Sequence, residues 1–313
     1  MVTFLEGIAG RAPEGVRVEF MPGSLLANEK RVMNDWSVHS APAADVTIAF
    51  MGLSPLLEGE EGEAILSDNG DRDGILLPKP QLDYLRKLAT SGARVVLVLS
   101  GGSAVDLDGL EDLVDAILYV WYPGQEGGNA VASVLFGDVN PSGRLPVSFP
   151  KSLEALPPFE DYAMDGRTYR YSEVEPLFPF GFGLSYSSFS YTDLTIDHKS
   201  IRSGETLHTN VLVTNTGTLD GEEIVQVYLN DLNSSVDVPN HSLVDFRRIL
   251  LRAGESKIVE FTITPDKMEL IDDEGASRIE PGSFRLEIGG TSPGGRGQVL
   301  GAATPITAVF AVV

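Results

Sequence analysis

Apolar and polar positions divide the chain into two textures. In the first half, Val16–Gly23 (VRVEFMPG), Asp45–Gly52 (DVTIAFMG), Ala93–Gly102 (ARVVLVLSGG) and Asp115–Gly124 (DAILYVWYPG) are short, β-branched apolar runs that stop at small or turn residues. That is the pattern of strands buried on both faces. Between them, Pro80–Gly92 and Gly127–Asp138 repeat apolar residues at intervals of three and four, with Gly92 and Gly137 placed to end them, which predicts helices. Strands alternating with helices predict a parallel sheet with helices on its faces. In such sheets functional groups collect at the carboxyl ends of the strands.

From Lys151 the pattern changes. Residues 156–189 are rich in Pro, Gly and aromatics and show neither a helical nor a strand period, so they read as an ordered connector. Beyond Phe189, runs such as TLHTNVLVTNTG, EEIVQVYLND and SFRLEIGG alternate at a period of two, separated by turn residues, as in a β-sandwich. The expected organisation is an α/β domain over residues 1–155, the connector over 156–189 and an all-β sandwich over 190–313.

Charge changes this picture. With 45 acidic and 23 basic side chains the formal net charge is -22, so the molecule repels nucleic acid and anionic membrane surfaces while accepting neutral ligands such as sugars. There is no cysteine, which excludes disulfides, thiolate catalysis and Cys-ligated zinc. The four histidines are scattered without metal-ligand spacing, and no cofactor motif is present. The first residues have neither the basic nor the apolar region of a signal peptide, and no run reaches the length of a membrane span, so a soluble chain of open localisation is expected.

The acid is concentrated in one place. Seven carboxylates lie between Glu58 and Asp73, directly after the apolar run that ends near Met51. The segment NGDRDG (Asn69–Gly74) imitates the first half of a calcium loop, but its twelfth position is Pro80, where a bidentate Glu is required, so no metal site is expected.

Several blocks together are more specific than any period. WYPGQEGGNAVASVLFGDVNPSGRLPVSFP (Trp121–Pro150) and PLFPFGFGLSYSSF (Pro176–Phe189) resemble the C-terminal half of glycoside hydrolase family 3, the β-glucosidase and β-xylosidase family. GLSPLLEGEE and GDRDGILLPKPQ fit the same pattern, and VTNTGTLDGEEIVQVYLND resembles the fibronectin-III-like domain that closes many members. The resemblance implies an α/β sandwich, here lacking its first strand, followed by a fibronectin-III-like domain. It also implies retaining hydrolysis of a terminal β-glycoside, with the nucleophilic Asp on an N-terminal barrel that nothing in this chain resembles. On this reading the chain alone is inactive. A barrel-bearing chain or segment, or self-association, covers what the missing strand exposes. The rival reading is a non-catalytic carbohydrate-binding or assembly module.

Retaining glycosidases need two carboxyls about 5–5.5 Å apart, one as nucleophile and one as acid/base. Matching GLSPLLEGEE to the family places Glu58 at the acid/base position, with Glu60 and Glu61 as fallbacks. Asp71 and Arg72 read as a structural ion pair or, less simply, as sugar ligands. Gln125 and Glu126 stand at a strand's carboxyl end, where they either line a cleft or cap the following helix. Trp121 and Tyr122 are ring-stacking candidates or core residues. The aromatics Tyr169, Tyr171, Phe178, Phe180, Phe182 and Tyr186 read as packing glue, with Arg167 and Arg170 tying down the connector.

Overall fold

Three of the four expected parallel runs pair in the computed structural model, which describes residues 1–27, 36–59 and 72–313 and falls into two compact units, Met1–Val139 and Asn140–Val313. In the first unit, β1 (Thr47–Gly52), β2 (Val95–Ser100) and β3 (Ala116–Tyr119) form a parallel sheet in that order, with Thr47 opposite Val95 and Val96 opposite Ala116. Val95, Leu97, Val98 and Leu99 are all buried, so both faces of the central strand are covered, as its unbroken apolar run requires. Each such side chain contributes roughly 1.5–3 kcal/mol of burial.

Helices flank the sheet: α1 (Phe4–Arg11), α2 (Trp36–Ser40), the single turn α3 (Pro55–Glu58), α4 (Lys79–Ala89) and α5 (Gly127–Leu135). The α1 helix starts in a capping box, Thr3 Oγ1 accepting from Glu6 N and the Glu6 carboxylate accepting from Thr3 N. It lies against α5 at a glycine contact, where a Cβ on Gly7 would fall 2.1 Å from the Gly128 carbonyl oxygen. In α4, Gln81, Leu82, Leu85 and Leu88 make the buried stripe that packs with Ala49, Leu97 and Leu99. Gln81 is the polar member of that core. Its Oε1 accepts from Gly52 N at 2.7 Å, and its Nε2 donates to the carbonyls of Gly52 and Leu26, both at 2.8 Å. The amide thus pins the end of β1 to the start of α4, just before the acidic segment.

The expected strand at Val16–Gly23 does not form. A strand needs a neighbour for its N–H and C=O groups. This segment is paired to none among the described residues, and Val16, Val18, Phe20 and Met21 are exposed rather than buried on both faces.

The second unit begins with the short helix α6 (Thr168–Tyr171) and continues into a β-sandwich. One sheet has the order β5 (Ser200–Ile201), β13 (Ile306–Val312), β12 (Gly282–Gly289), β7 (Gly221–Asp231), β8 (Ser242–Leu251). The other consists of β4 (Phe189–Ile196), β6 (Leu207–Asn215) and β9 (Ser256–Ile263). A small hairpin of β10 (Leu270–Ile271) and β11 (Ser277–Arg278) and the short α7 (Gly295–Val299) complete it. Alternate residues such as Leu207, Val211 and Val213 of β6 and Phe284, Leu286 and Ile288 of β12 point into one core.

Residues 140–155 belong to the compact unit that holds the β-sandwich. The reason is specific bonding. Asn140 donates to the Asp220 carbonyl at 2.9 Å, and Arg144 pairs at 2.5 Å with Glu223 of β7, both side chains nearly inaccessible. The connector is anchored in the same way. Tyr169 stacks on Phe180 with centroids 4.2 Å apart and meets Tyr228 edge-on, while Arg167 donates to the carbonyls of Pro158, Asp161 and Ala163. Among the described residues no helix is long and apolar enough to cross a membrane.

Candidate active site

The carboxyl ends of all three parallel strands converge on one carboxylate. β1 ends at Gly52, and after Leu53 and Ser54 the chain makes the single turn of α3, with Pro55 in its first turn, a position that suits proline's fixed φ. Glu58 is its last residue. β2 ends at Ser100 and runs into the turn Gly101–Ala104, and β3 ends at Tyr119 and leads to Trp121 and Tyr122. Glu58 Oε1 accepts from Gly102 N at 2.9 Å and from Ser103 Oγ at 2.7 Å, while its Oε2 accepts from the Tyr122 hydroxyl at 2.5 Å.

Each neighbour is held in turn. Arg72 Nη2 donates to Ser103 Oγ at 2.9 Å and to the Ala104 carbonyl at 2.6 Å, so Ser103 links the guanidinium to the carboxylate. Tyr119 donates to the Ser103 carbonyl at 2.6 Å. Trp121 adopts a left-handed backbone with φ +52, unusual for a bulky residue, and its carbonyl accepts from Ser100 Oγ at 2.7 Å. That turn redirects the chain so that Tyr122 reaches Glu58. Gly102 is there because of space: a Cβ would sit 2.8 Å from Glu58 Oε2 and 3.1 Å from the Tyr122 ring.

These contacts set the protonation states. Burial raises the Glu58 carboxyl, but hydrogen bonds from Tyr122, Ser103 and Gly102 and the positive charge of Arg72 outweigh it, and the net shift is downward. Burial, then the Glu58 charge, pushes the Tyr119 hydroxyl up to about 12, and burial and the bond to Glu58 raise Tyr122 as well. The cluster therefore holds an anion on Glu58 and neutral phenols around it. Such a carboxylate is the shared acceptor of the hydrogen bonds around it.

Of the residues expected from the sequence, the structure brings together Glu58, Arg72 and Tyr122. Glu60, Glu61 and Asp71 lie outside the described residues. Trp121 packs edge-on against Tyr119 with centroids 4.7 Å apart. Gln125 and Glu126 take no part in the cluster among the described residues. The Gln125 carbonyl accepts from Val2 N, and the Glu126 carboxylate, beside the start of α5, accepts from Asn129 Nδ2. Sequence reasoning did not pick out Gly102, Ser103 or Tyr119. The available signal was the small, polar SGGS at the carboxyl end of the strand with the strongest apolar run.

Comparison with known proteins bears on the family and the fold. The glycosyl hydrolase family 3 C-terminal domain model matches residues 1–186, and the fibronectin type III-like domain model matches residues 223–292. A xylan 1,4-beta-xylosidase of Xylanibacter ruminicola is 41% identical over 77% of this chain and 28% of its own length. A periplasmic beta-glucosidase of Salmonella typhimurium is 33% identical over 92% of this chain and 41% of its own. The crystal structure of the family's beta-glucosidase from Bifidobacterium adolescentis superposes with a TM-score of 0.83 at 30% identity, covering 99% of this chain and 45% of that one. The chain thus spans less than half the length of these relatives. With its parallel α/β unit followed by a fibronectin-III-like β-sandwich, this chain belongs to glycoside hydrolase family 3 and corresponds to the C-terminal part of its members.

Proposed function

We propose that this chain is the α/β-sandwich and fibronectin-III-like portion of a retaining, exo-acting β-glycosidase of the β-glucosidase and β-xylosidase type. Its acidic segment starting at Glu58 supplies the acid/base carboxyl to a barrel that bears the nucleophile, on a segment or chain outside these residues. The observation that supports this is the convergence of Glu58, Arg72, Ser103 and Tyr122 at the carboxyl ends of three parallel strands, where this architecture places its chemistry. Retaining hydrolysis needs the second carboxylate within about 5–5.5 Å of the first. This chain by itself then holds no glycoside against a nucleophile.

Two assays test the reading. Purified alone, the 313-residue chain should not turn over aryl β-glucosides or β-xylosides; clear turnover would refute the need for a barrel. In the complete enzyme, replacing Glu58, Glu60 and Glu61 together by Gln should abolish hydrolysis of glycosides with poor leaving groups and largely spare the first step with activated ones, because the acid is needed only where the leaving oxygen must be protonated. If the triple variant hydrolyses both kinds at wild-type rate, the segment is not the acid/base, and the chain is a binding or assembly module.

A further inference from the structure

We infer that the β-sandwich unit carries a binding site of its own for one neutral sugar ring, on the outward face of β7 and β12.

The sheet dictates where it lies. Side chains alternate along a strand, so with Phe284, Leu286 and Ile288 of β12 in the core, Arg285 and Glu287 point outward. In the antiparallel register Arg285 lies opposite Asn230 of β7 and Glu287 opposite Tyr228. These four line a cavity of about 240 Å³, which Asn240 and His241 and then Pro293 and Gly294 also border. The border is held in place. Asn240 N donates to the Arg170 carbonyl at 2.6 Å, and Asn230 Nδ2 donates to the Asn240 carbonyl. The His241 ring packs against Tyr169 and Tyr228, with centroids 6.3 and 6.4 Å apart. Gly294 has φ +121, which side-chain-bearing residues rarely adopt, and nothing lies within 4 Å of where its Cβ would be, so the mouth stays open there.

What the cavity lacks is partners for its own polar groups. Among the described residues the Glu287 carboxylate, the Arg285 guanidinium and the Asn240 carboxamide make no hydrogen bond or ion pair. Glu287 is half-buried, and burial raises its carboxyl more than Arg285 lowers it. A carboxylate withdrawn from water without a partner costs stability, a cost that a ligand supplying the missing donor offsets.

The chemistry of the ligand follows from these groups. Arg285 and Glu287 cancel in charge, so the site favours neither ion, and the net charge of -22 disfavours anions further. Guanidinium donates only, carboxylate accepts only, and a carboxamide does both. A group that meets all three is a hydroxyl, and several must be presented together. Residues two apart on a strand are about 6.4–6.8 Å apart, a span that a six-membered ring bridges with its hydroxyls. The cavity is below the roughly 300–1,000 Å³ of sites for drug-sized molecules, which fits one ring rather than a chain of them. The rings of His241 and Pro293 offer apolar surface to its C–H groups.

The test uses the full 313-residue chain with the methyl β-glycosides of glucose, xylose and galactose, read by the ring signals of its four histidines in a proton–carbon NMR spectrum. His241, identified by the signal lost in His241→Gln, borders the cavity, whereas His39, His198 and His208 do not. At least one glycoside should shift the His241 signal saturably, with a dissociation constant on the order of 1–10 mM. Arg285→Ala and Glu287→Ala should each weaken that binding at least about tenfold, as loss of a hydrogen bond to a charged group does. The His198 and His208 signals, from the same unit, should keep their positions and so report an intact fold. Arg285 is exposed, so its variant leaves the core untouched. The inference is overturned if none of the three sugars gives a saturable shift by about 100 mM, or if both variants bind as well as wild type. It is also overturned if glycine saturates the site and the sugars do not, since the pair then holds a zwitterion. No residue of the Glu58 cluster takes part, so each outcome is independent of the acid/base assignment.

Discussion

Arg144→Met should destabilise the β-sandwich unit by about 3–5 kcal/mol at neutral pH, the usual cost of removing one partner from a buried ion pair. The two side chains are 9% and 4% exposed, and the guanidinium lies 2.5 Å from Glu223 Oε2. The other carboxylate oxygen accepts from Tyr191 at 2.5 Å, and Tyr191 is buried in the sandwich core. Burial already raises the Glu223 carboxyl despite Arg144, so loss of the guanidinium should raise it further. The sign follows from linkage. A carboxyl whose folded value lies above its unfolded one makes the folded state bind the extra proton. Stability is then greatest below the unfolded value and falls as pH rises toward the folded one, by up to about 1.4 kcal/mol per pH unit. Arg144→Met should thus be closest to wild type near pH 4.5 and most destabilised at pH 7 and above. Glu223→Gln should show no such recovery in acid, because the stranded Arg144 cannot give up its proton. Arg144→Met/Glu223→Met should regain most of the loss. Both tryptophans, Trp36 and Trp121, lie in the first unit. Denaturation followed by far-ultraviolet circular dichroism beside tryptophan fluorescence therefore separates the sandwich transition from that of the first unit. A pH-independent loss under about 1 kcal/mol, or a double variant no better than the single ones, would refute this account of the pair.

Two further outcomes follow from the first unit. Gln81→Leu, nearly isosteric, leaves Gly52 N and the Gly52 carbonyl without their partner in a buried place, and the part-buried Leu26 carbonyl without its own; it should cost about 2–4 kcal/mol, measured as a shift of the Trp121-reported denaturation midpoint. Glu58, whose carboxyl is lowered on folding, adds stability above its unfolded value near 4.5 that is lost as pH falls through the lower folded value. The stability difference between wild type and Glu58→Ala should therefore shrink below pH 4.5 and stay constant above it, and a difference that grows on acidification would contradict the assignment of an anion there.

Periodicity alone placed parallel strands within Asp45–Gly52, Ala93–Gly102 and Asp115–Gly124, where Thr47–Gly52, Val95–Ser100 and Ala116–Tyr119 form, because a strand covered on both faces must be apolar at consecutive positions. It located the helix over Lys79–Ala89 through the stripe of Leu82, Leu85 and Leu88, and the sandwich strands through their alternation, since each face has one environment. The motif blocks identified the family, and charge marked the acidic segment. The sequence went astray at Val16–Gly23, where the pattern of a strand is present but no partner among the described residues pairs with it: pairing is a property of two segments, not one.

Tertiary structure alone decided the site. Nothing in GLSPLLEGEE says that Glu58 faces Gly102, Ser103 and Tyr122, residues 44, 45 and 64 positions away. A local pattern records how a side chain is divided between core and solvent, whereas the state of a carboxylate depends on which donors surround it. Those donors follow two strands, β2 and β3, whose adjacency to β1 and Glu58 only the folded sheet creates. Hence the sequence by itself determined the layers, the family and the position of the acidic segment, and the fold determined which donors surround Glu58.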